Sequence, residues 1–178
     1  MVKRILAVFL AMLLALICAG CGSNTSASGN GSTVGTLEGF PWTVELRNAA
    51  IKNALHTGAG LKQYDGSVVD VDYDDAPSEG NVFLILTLTI TKTGTGGGSF
   101  DWAKLSLLDK DKNAYSRMEN DAFLQNHQYN RMAGTPLQIG EYKGSICFEV
   151  PSGRAKESFV LQYDAGDTGV LTVSVKPS

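Results

Sequence analysis

Carboxylates dominate the residues of this 178-residue chain that could do chemistry. Asp109-Lys110-Asp111-Lys112-Asn113 sets oxygen donors at alternate positions, as the start of a calcium loop does so that they converge on one hard cation. Ala114 then stands where glycine must make the sharp turn, and Asn120 where a bidentate glutamate must close the shell, so the segment reads as a polar turn between strands. Asp70, Asp72 and Asp74 share one face of an extended segment, with Asp75 and Glu79 close behind. Successive carboxylates on that face stand about 7 Å apart. One strand therefore cannot surround a calcium ion, whose oxygens lie at about 2.3–2.6 Å. Asp70, Asp72, Asp74, Asp109, Asp111 and Asn113 are thus weak metal ligands at best, and no metal or other cofactor is expected.

Nucleophiles and bases are equally scattered. His56 and His127 are the only histidines, in no zinc-binding spacing and beside no serine or cysteine motif. Cys147 lies in a strand, on the face shared with Lys143, Ser145 and Glu149, without a positioned base. Gly94-Thr95-Gly96-Gly97-Gly98-Ser99 follows a strand but lacks the full dinucleotide fingerprint and the helix whose N-terminus would receive phosphates. No enzymatic activity is expected. Asn126, His127, Tyr129, Asn130 and Arg131 combine an aromatic platform with hydrogen-bonding groups on one loop, a mixture suited to a polar ligand or a protein surface. They are the candidate recognition residues.

The elements that must position these groups read as strands. Trp42, Val44 and Leu46 alternate with Thr43, Glu45 and Arg47. Over Val82–Thr91, Leu84, Leu86, Leu88 and Ile90 share one face, with Ile85, Thr87, Thr89 and Thr91 on the other. Lys104–Leu108 and Ala114–Ser116 are shorter. Tyr142, Ile146, Phe148 and Val150 oppose Lys143, Ser145, Cys147 and Glu149. Phe159, Leu161 and Tyr163 form another strand, and Leu171, Val173 and Val175 the last. This period-2 alternation, bounded by Gly, Asp and Pro, predicts half-buried antiparallel strands and an all-β sandwich. Asn53–Gly66 and Met118–Gly134 are read as loops, the second with a short helix over Glu119–Gln125.

The N-terminus is of another kind. Lys3 and Arg4 precede a run from Ile5 to Ala19 without a charge, and Gly20-Cys21-Gly22-Ser23-Asn24 ends it. This is the order of a secretory signal, shorter than the roughly 20 residues of a permanent membrane span. Ile17-Cys18-Ala19-Gly20-Cys21 resembles the lipobox of bacterial lipoproteins, although Cys18 stands where leucine is usual. The resemblance implies cleavage before Cys21 and lipidation of that cysteine by a diacylglyceryl group. Two chains anchor a protein where one holds it only marginally. Residues 1–20 are thus the signal peptide, 21–38 a flexible Gly/Ser/Asn/Thr tether, and 39–178 the folded domain. The expected location is the cell membrane or outer membrane, on its extracytoplasmic side.

The formal charge of −3 becomes −5 once Lys3 and Arg4 leave. Such a domain lacks the basic footprint of a nucleic-acid binder. Of three cysteines, Cys18 departs with the signal and Cys21 takes lipid, so Cys147 is the one thiol left and no disulfide can form within the domain.

Several segments fall in a recognisable order: Glu79 through Thr91, Leu107 through Tyr115, Leu137-Gln138-Ile139-Gly140, and Gly144 through Pro151 ending Phe148-Glu149-Val150-Pro151. This order resembles the telokin-like family of immunoglobulin-like extracytoplasmic domains borne by bacterial lipoproteins. It is similar in kind to the secreted immunoglobulin-like antigens grouped with them. The resemblance covers most of Trp42–Val175. It implies an immunoglobulin-like β-sandwich and an envelope location, and it supplies no catalytic residues. The expected function is a lipid-anchored envelope module that binds an envelope protein or polar ligand. The alternative is an envelope lipoprotein that binds calcium or a small solute.

Overall fold

The computed structural model describes residues 25–27, 33–62, 64–96, 98–134, 136 and 138–178, with the backbone alone at 25–27, 57–62 and 70–73. Residues 1–20, expected to be a signal peptide, and Cys21 with the first part of the expected tether lie outside the described residues.

In chain order the strands are β1 (Thr25–Ala27), β2 (Thr33–Gly35), β3 (Trp42–Lys52), β4 (Leu55–Lys62), β5 (Val68–Asp75), β6 (Asn81–Lys92), β7 (Leu105–Leu108), β8 (Ala114–Ser116), β9 (Gly140–Pro151), β10 (Phe159–Asp164) and β11 (Val170–Val175). A five-stranded sheet runs β1-β2-β3-β6-β9 and a four-stranded sheet β11-β10-β7-β8, while among the described residues β4 and β5 pair only with each other. Every strand pairing is antiparallel. With β3, β6 and β9 on one sheet and β11, β10 and β7 on the other, the order is that of the A, B, E and G, F, C strands of an immunoglobulin-like sandwich. The short β8 lies beside β7.

The expected faces form the core. Leu84, Leu86, Leu88 and Ile90 of β6 are buried against Ile146, Phe148 and Val150 of β9, with Leu105 and Leu107 of β7 and the inward residues of β10 and β11 facing them. On β3 the inward positions are Trp42, Val44, Leu46 and then Ala49. The three-residue step coincides with a register shift between Leu46 and Asn48, a β-bulge that absorbs one residue and restores the apolar phase. Trp42 is the fully buried tryptophan, its ring edge-on to Phe100 at 5.6 Å. Trp102 is only half-buried, on the flank.

Three sequence expectations are corrected. First, Asn53–Gly66 is not a loop, because most of it is β4. Its glycines, Gly58 and Gly60, break the alternation, and its strand state comes from pairing residue by residue with β5. A turn closes the pair, where Asp65 accepts from the Ser67 N–H at 2.9 Å and hydroxyl at 2.6 Å, and Gly66 takes φ +85°. Second, the folded domain begins before residue 39. Thr33–Gly35 pairs with Val44–Leu46 of β3. A Cβ at Gly35 would fall 2.6 Å from the Thr172 carbonyl oxygen of β11, so only glycine lets the backbone lie this close. Third, the short helix over Glu119–Gln125 is reduced to one 3-10 turn, Ala122–Gln125.

The outer face of β6 is also covered at one end. Phe83 and Ile85 are buried with Leu55, Leu124 and Cys147, and Met118, Phe123 and Tyr129 pack around them. Phe123 stacks on Phe83 at 5.1 Å. This second, smaller core fastens the Met118–Gly134 loop and the root of the β4–β5 ribbon to the sandwich.

Phe148 is completely buried in the main core. Phe148→Ala should lower the unfolding free energy by about 3–5 kcal/mol, a large share of a domain's total of about 5–15 kcal/mol. Urea denaturation of wild type and variant measures the difference; equal midpoints would mean that Phe148 does not sit between the sheets.

Candidate functional site

The Met118–Gly134 loop is organised by a buried carboxylate. Asp121 has no exposed surface. It accepts hydrogen bonds from Arg117 Nε at 3.2 Å and Nη2 at 2.9 Å, and another from Arg131 Nε. Arg117 Nη2 also donates to the Met132 carbonyl at 2.7 Å, and its guanidinium lies 4.3 Å from the centre of the Trp102 ring. Trp102 Nε1 in turn donates to the Gly134 carbonyl at 2.7 Å. Two guanidinium groups on one carboxylate satisfy its lone pairs and offset its removal from water.

The same loop covers the free edge of β9. Ser145 donates its N–H to Asn130 O at 2.6 Å, Met132 donates to Ser145 O at 2.9 Å, and Met118 donates to Cys147 O at 2.9 Å. Asn130 Nδ2 adds a bond to Lys143 O at 2.9 Å. Gly144 permits the approach: a Cβ there would stand 2.7 Å from the Asn130 carbonyl oxygen and 2.9 Å from Met132 Cβ. A further tie joins the loop to the ribbon, where His127 Nε2 meets Asp75 Oδ2 of β5 at 2.7 Å. Beside it His56 Nδ1 of β4 meets Asp74 Oδ1 of β5 at 2.8 Å.

All five residues expected to form a recognition surface are thus engaged within the molecule. Arg131 holds Asp121, Asn130 caps β9, His127 holds β5, and Tyr129 packs on the second core. Asn126 closes the 3-10 turn, its N–H donating to Phe123 O at 2.9 Å. The loop is a clasp between β9 and the ribbon, so whatever surface it offers is a fixed one. Arg117 and Asp121 are not singled out in the sequence, and Asp75 stands there only as part of the acidic run. The four-residue spacing of Arg117 and Asp121 is the only local sign of their pairing.

The aspartate turn is fully used by the protein. Asp109 accepts from the backbone N–H groups of Asp111 at 2.8 Å and Asn113 at 2.9 Å, from Asn113 Nδ2 at 2.8 Å and from the Tyr115 hydroxyl at 2.9 Å. Arg154 Nη1 lies 3.1 Å from its second oxygen and 2.7 Å from Asp111. Calcium would have to displace all of these, so Asp109, Asp111 and Asn113 form a turn, as the missing glycine and glutamate imply. Burial pushes the Asp109 carboxyl upward, but the bonds from Asn113, Tyr115 and Asp111 together outweigh it and hold the group at about 2. Asp74 pairs with His56, and the side chains of Asp70 and Asp72 lie outside the described residues. Among the described residues no three His, Cys, Asp or Glu side chains converge as metal ligands would. Burial first, and then the charges of Asp121 and Glu149, raise the Cys147 thiol well above its usual range, so it is a thiol and not a thiolate at neutral pH.

No family model matches the chain, and no curated protein matches it in sequence. Among solved structures it is similar to YcdA of Bacillus subtilis, at 14% identity and a TM-score of 0.49, over 80% of this chain and 38% of that one. It is also similar to the YjhA protein of Bacillus subtilis, at 14% identity and 0.47, over 78% of this chain and 93% of that one. A third is an uncharacterized β-sandwich protein from Clostridium difficile, at 9% identity and 0.42, over 88% and 92%. This chain therefore spans well under half the length of the YcdA chain.

Two substitutions test the site. Asp121→Ala leaves two guanidinium groups facing an empty, largely buried position, and should destabilise the protein by about 3 kcal/mol; urea midpoints equal to wild type would show that the triad is not formed. Asp109 stabilises the fold through a carboxyl held at about 2 against an ordinary 3.8. Because the folded value is the lower one, that stabilisation is complete above about 3.8 and is lost as the pH falls toward 2. Asp109→Asn should therefore melt below wild type at pH 7, with the gap narrowing across this acid window; a gap independent of pH would refute the assignment.

Proposed function

We propose that this chain is a lipid-anchored interaction module of the cell envelope, with no reaction of its own. The observation that carries the reading is Ala19-Gly20-Cys21 at the end of a charged, then uncharged, N-terminal segment. Lipid on Cys21 would fix the domain on the extracytoplasmic side of a cell membrane or outer membrane. Among the described residues no helix is long and apolar enough to cross a membrane.

The site geometry supports binding over chemistry. The thiol of Cys147 is sealed, the Asp109 carboxylate is saturated, and both histidines face aspartates that hold the ribbon in place. The ribbon, by contrast, presents Tyr64, Val68 and Val69 to solvent. An envelope protein or other polar partner, and not a nucleic acid, suits an acidic domain of this kind. Kinship with the telokin-like extracytoplasmic domains belongs to the same proposal. It rests on Phe148-Glu149-Val150-Pro151, which ends β9, and on the strand order of the sandwich.

Mass spectrometry of the protein isolated from membranes tests the anchor. The expected N-terminus is Cys21 bearing a diacylglyceryl group, and Cys21→Ala should move the protein out of the membrane fraction or leave it unprocessed. An unmodified chain starting elsewhere would overturn the reading.

A further inference from the structure

Among the described residues the β4–β5 ribbon belongs to neither sheet, and β5 pairs with β4 on one side only. An unpaired strand edge offers a row of backbone donors and acceptors, and proteins usually shorten, cover or charge such edges. This edge is eight residues long, and its tip exposes Tyr64 completely, Val68 by 64% and Val69 by 45%. These three are half of the large apolar side chains exposed among the described residues. The root is the opposite. Leu55 is buried in the second core, and the His56–Asp74 and His127–Asp75 pairs brace both strands. The ribbon is thus a rooted arm with an open edge, and a partner pairing along it need order little of this protein.

Charge selects the occupant. From Leu55 to Asp75 the chain has five aspartates and one lysine, and Asp70, Asp72 and Asp74 occupy alternate positions of β5. A second copy would bring the same aspartates against these. An anionic lipid surface would likewise be repelled. We propose that the open edge of β5 receives an extended segment of a partner protein by strand addition, the segment carrying Lys or Arg at every second residue and apolar residues between. Its backbone pairs with β5, its cations meet the aspartate positions, and its apolar residues lie along Val69 and Tyr64. This rests on the interaction-module reading and names its surface and partner class. The shared strand geometry puts cations opposite carboxylates with no change in the ribbon's own pairing.

The test uses the full-length protein in detergent micelles and a fluorescent decapeptide of alternating Lys and Val. Fluorescence anisotropy should show saturable binding, weaker by at least about tenfold in Asp70→Asn with Asp72→Asn. The same loss is expected for the peptide N-methylated at alternate residues, which keeps the charge and removes the donors. A Glu-Val decapeptide should not bind. Val69→Lys, at an exposed position, gives a second variant in which binding should also fall. Absent binding, or binding indifferent to N-methylation or to the Asn pair, overturns the proposal. Photo-cross-linkers placed at Tyr64 and at Val160, the latter exposed on β10, separate it from the broader reading in intact cells. Adducts at Tyr64 that vanish in the Asn variant support it. Adducts at Val160 alone overturn the ribbon assignment and leave the interaction module standing. Adducts at neither position overturn both.

Discussion

Strand β6 is apolar on both faces along its first half, and much of the molecule follows from that. Leu84, Leu86 and Leu88 enter the space between the sheets, while Phe83 and Ile85 point the other way and are just as deeply buried. A sandwich covers only the inner faces of its sheets. The outer face of β6 must therefore be covered by something else, and the chain supplies the Met118–Gly134 loop and the root of the ribbon. Each large apolar side chain so buried contributes about 1.5–3 kcal/mol. A polar, irregular segment packs poorly by itself, so further fastening is needed.

The fastening is ionic. Asp121, Arg117 and Arg131 hold the loop in one shape, and Trp102 closes the far side of Arg117. Hydrophobic contact alone would let such a loop slide over Phe83 and Ile85, whereas a buried carboxylate with fixed donors admits few arrangements. The same network carries Asn130 and Met132 onto the edge of β9, which would otherwise lie open. One end of the five-stranded sheet is thereby closed, while the ribbon edge is unpaired among the described residues.

Legibility in the sequence tracks the range of the interactions. The phase of β6, β9, β10 and β11 was plain because alternation is local and the inner faces carry little else. Residues 55–62 read as a loop because Gly58 and Gly60 hide the pattern, and only pairing with β5 makes them a strand. Thr33–Gly35 read as tether because its strand state depends on pairing with Val44–Leu46 of β3, beyond the reach of a local pattern. The residues read as a recognition surface do share one loop, but the partners that three of them meet, Asp121, Asp75 and the Lys143 carbonyl, lie 10 to 52 positions away. Aromatic and amide side chains on a loop look alike whether they face a ligand or the protein itself. The Asp109 turn is legible because its signs are local, an aspartate followed within four residues by the N–H groups it accepts from.

The attachment of β2 has a mechanical meaning. A pull on the N-terminus enters the described fold through β1 and β2 and reaches β3 across three residue pairs, Thr33–Leu46, Val34–Glu45 and Gly35–Val44. Few bonds share that load, and Gly35 adds a close contact with Leu171 and Val173 of the core. Peeling β2 would release roughly 10 Å of chain at about 3.3–3.6 Å per residue and part Gly35 from β11. In a chain anchored at Cys21 as proposed, β2 would yield first under sudden drag and re-seat, where Gly35 fits β11, once the tension drops.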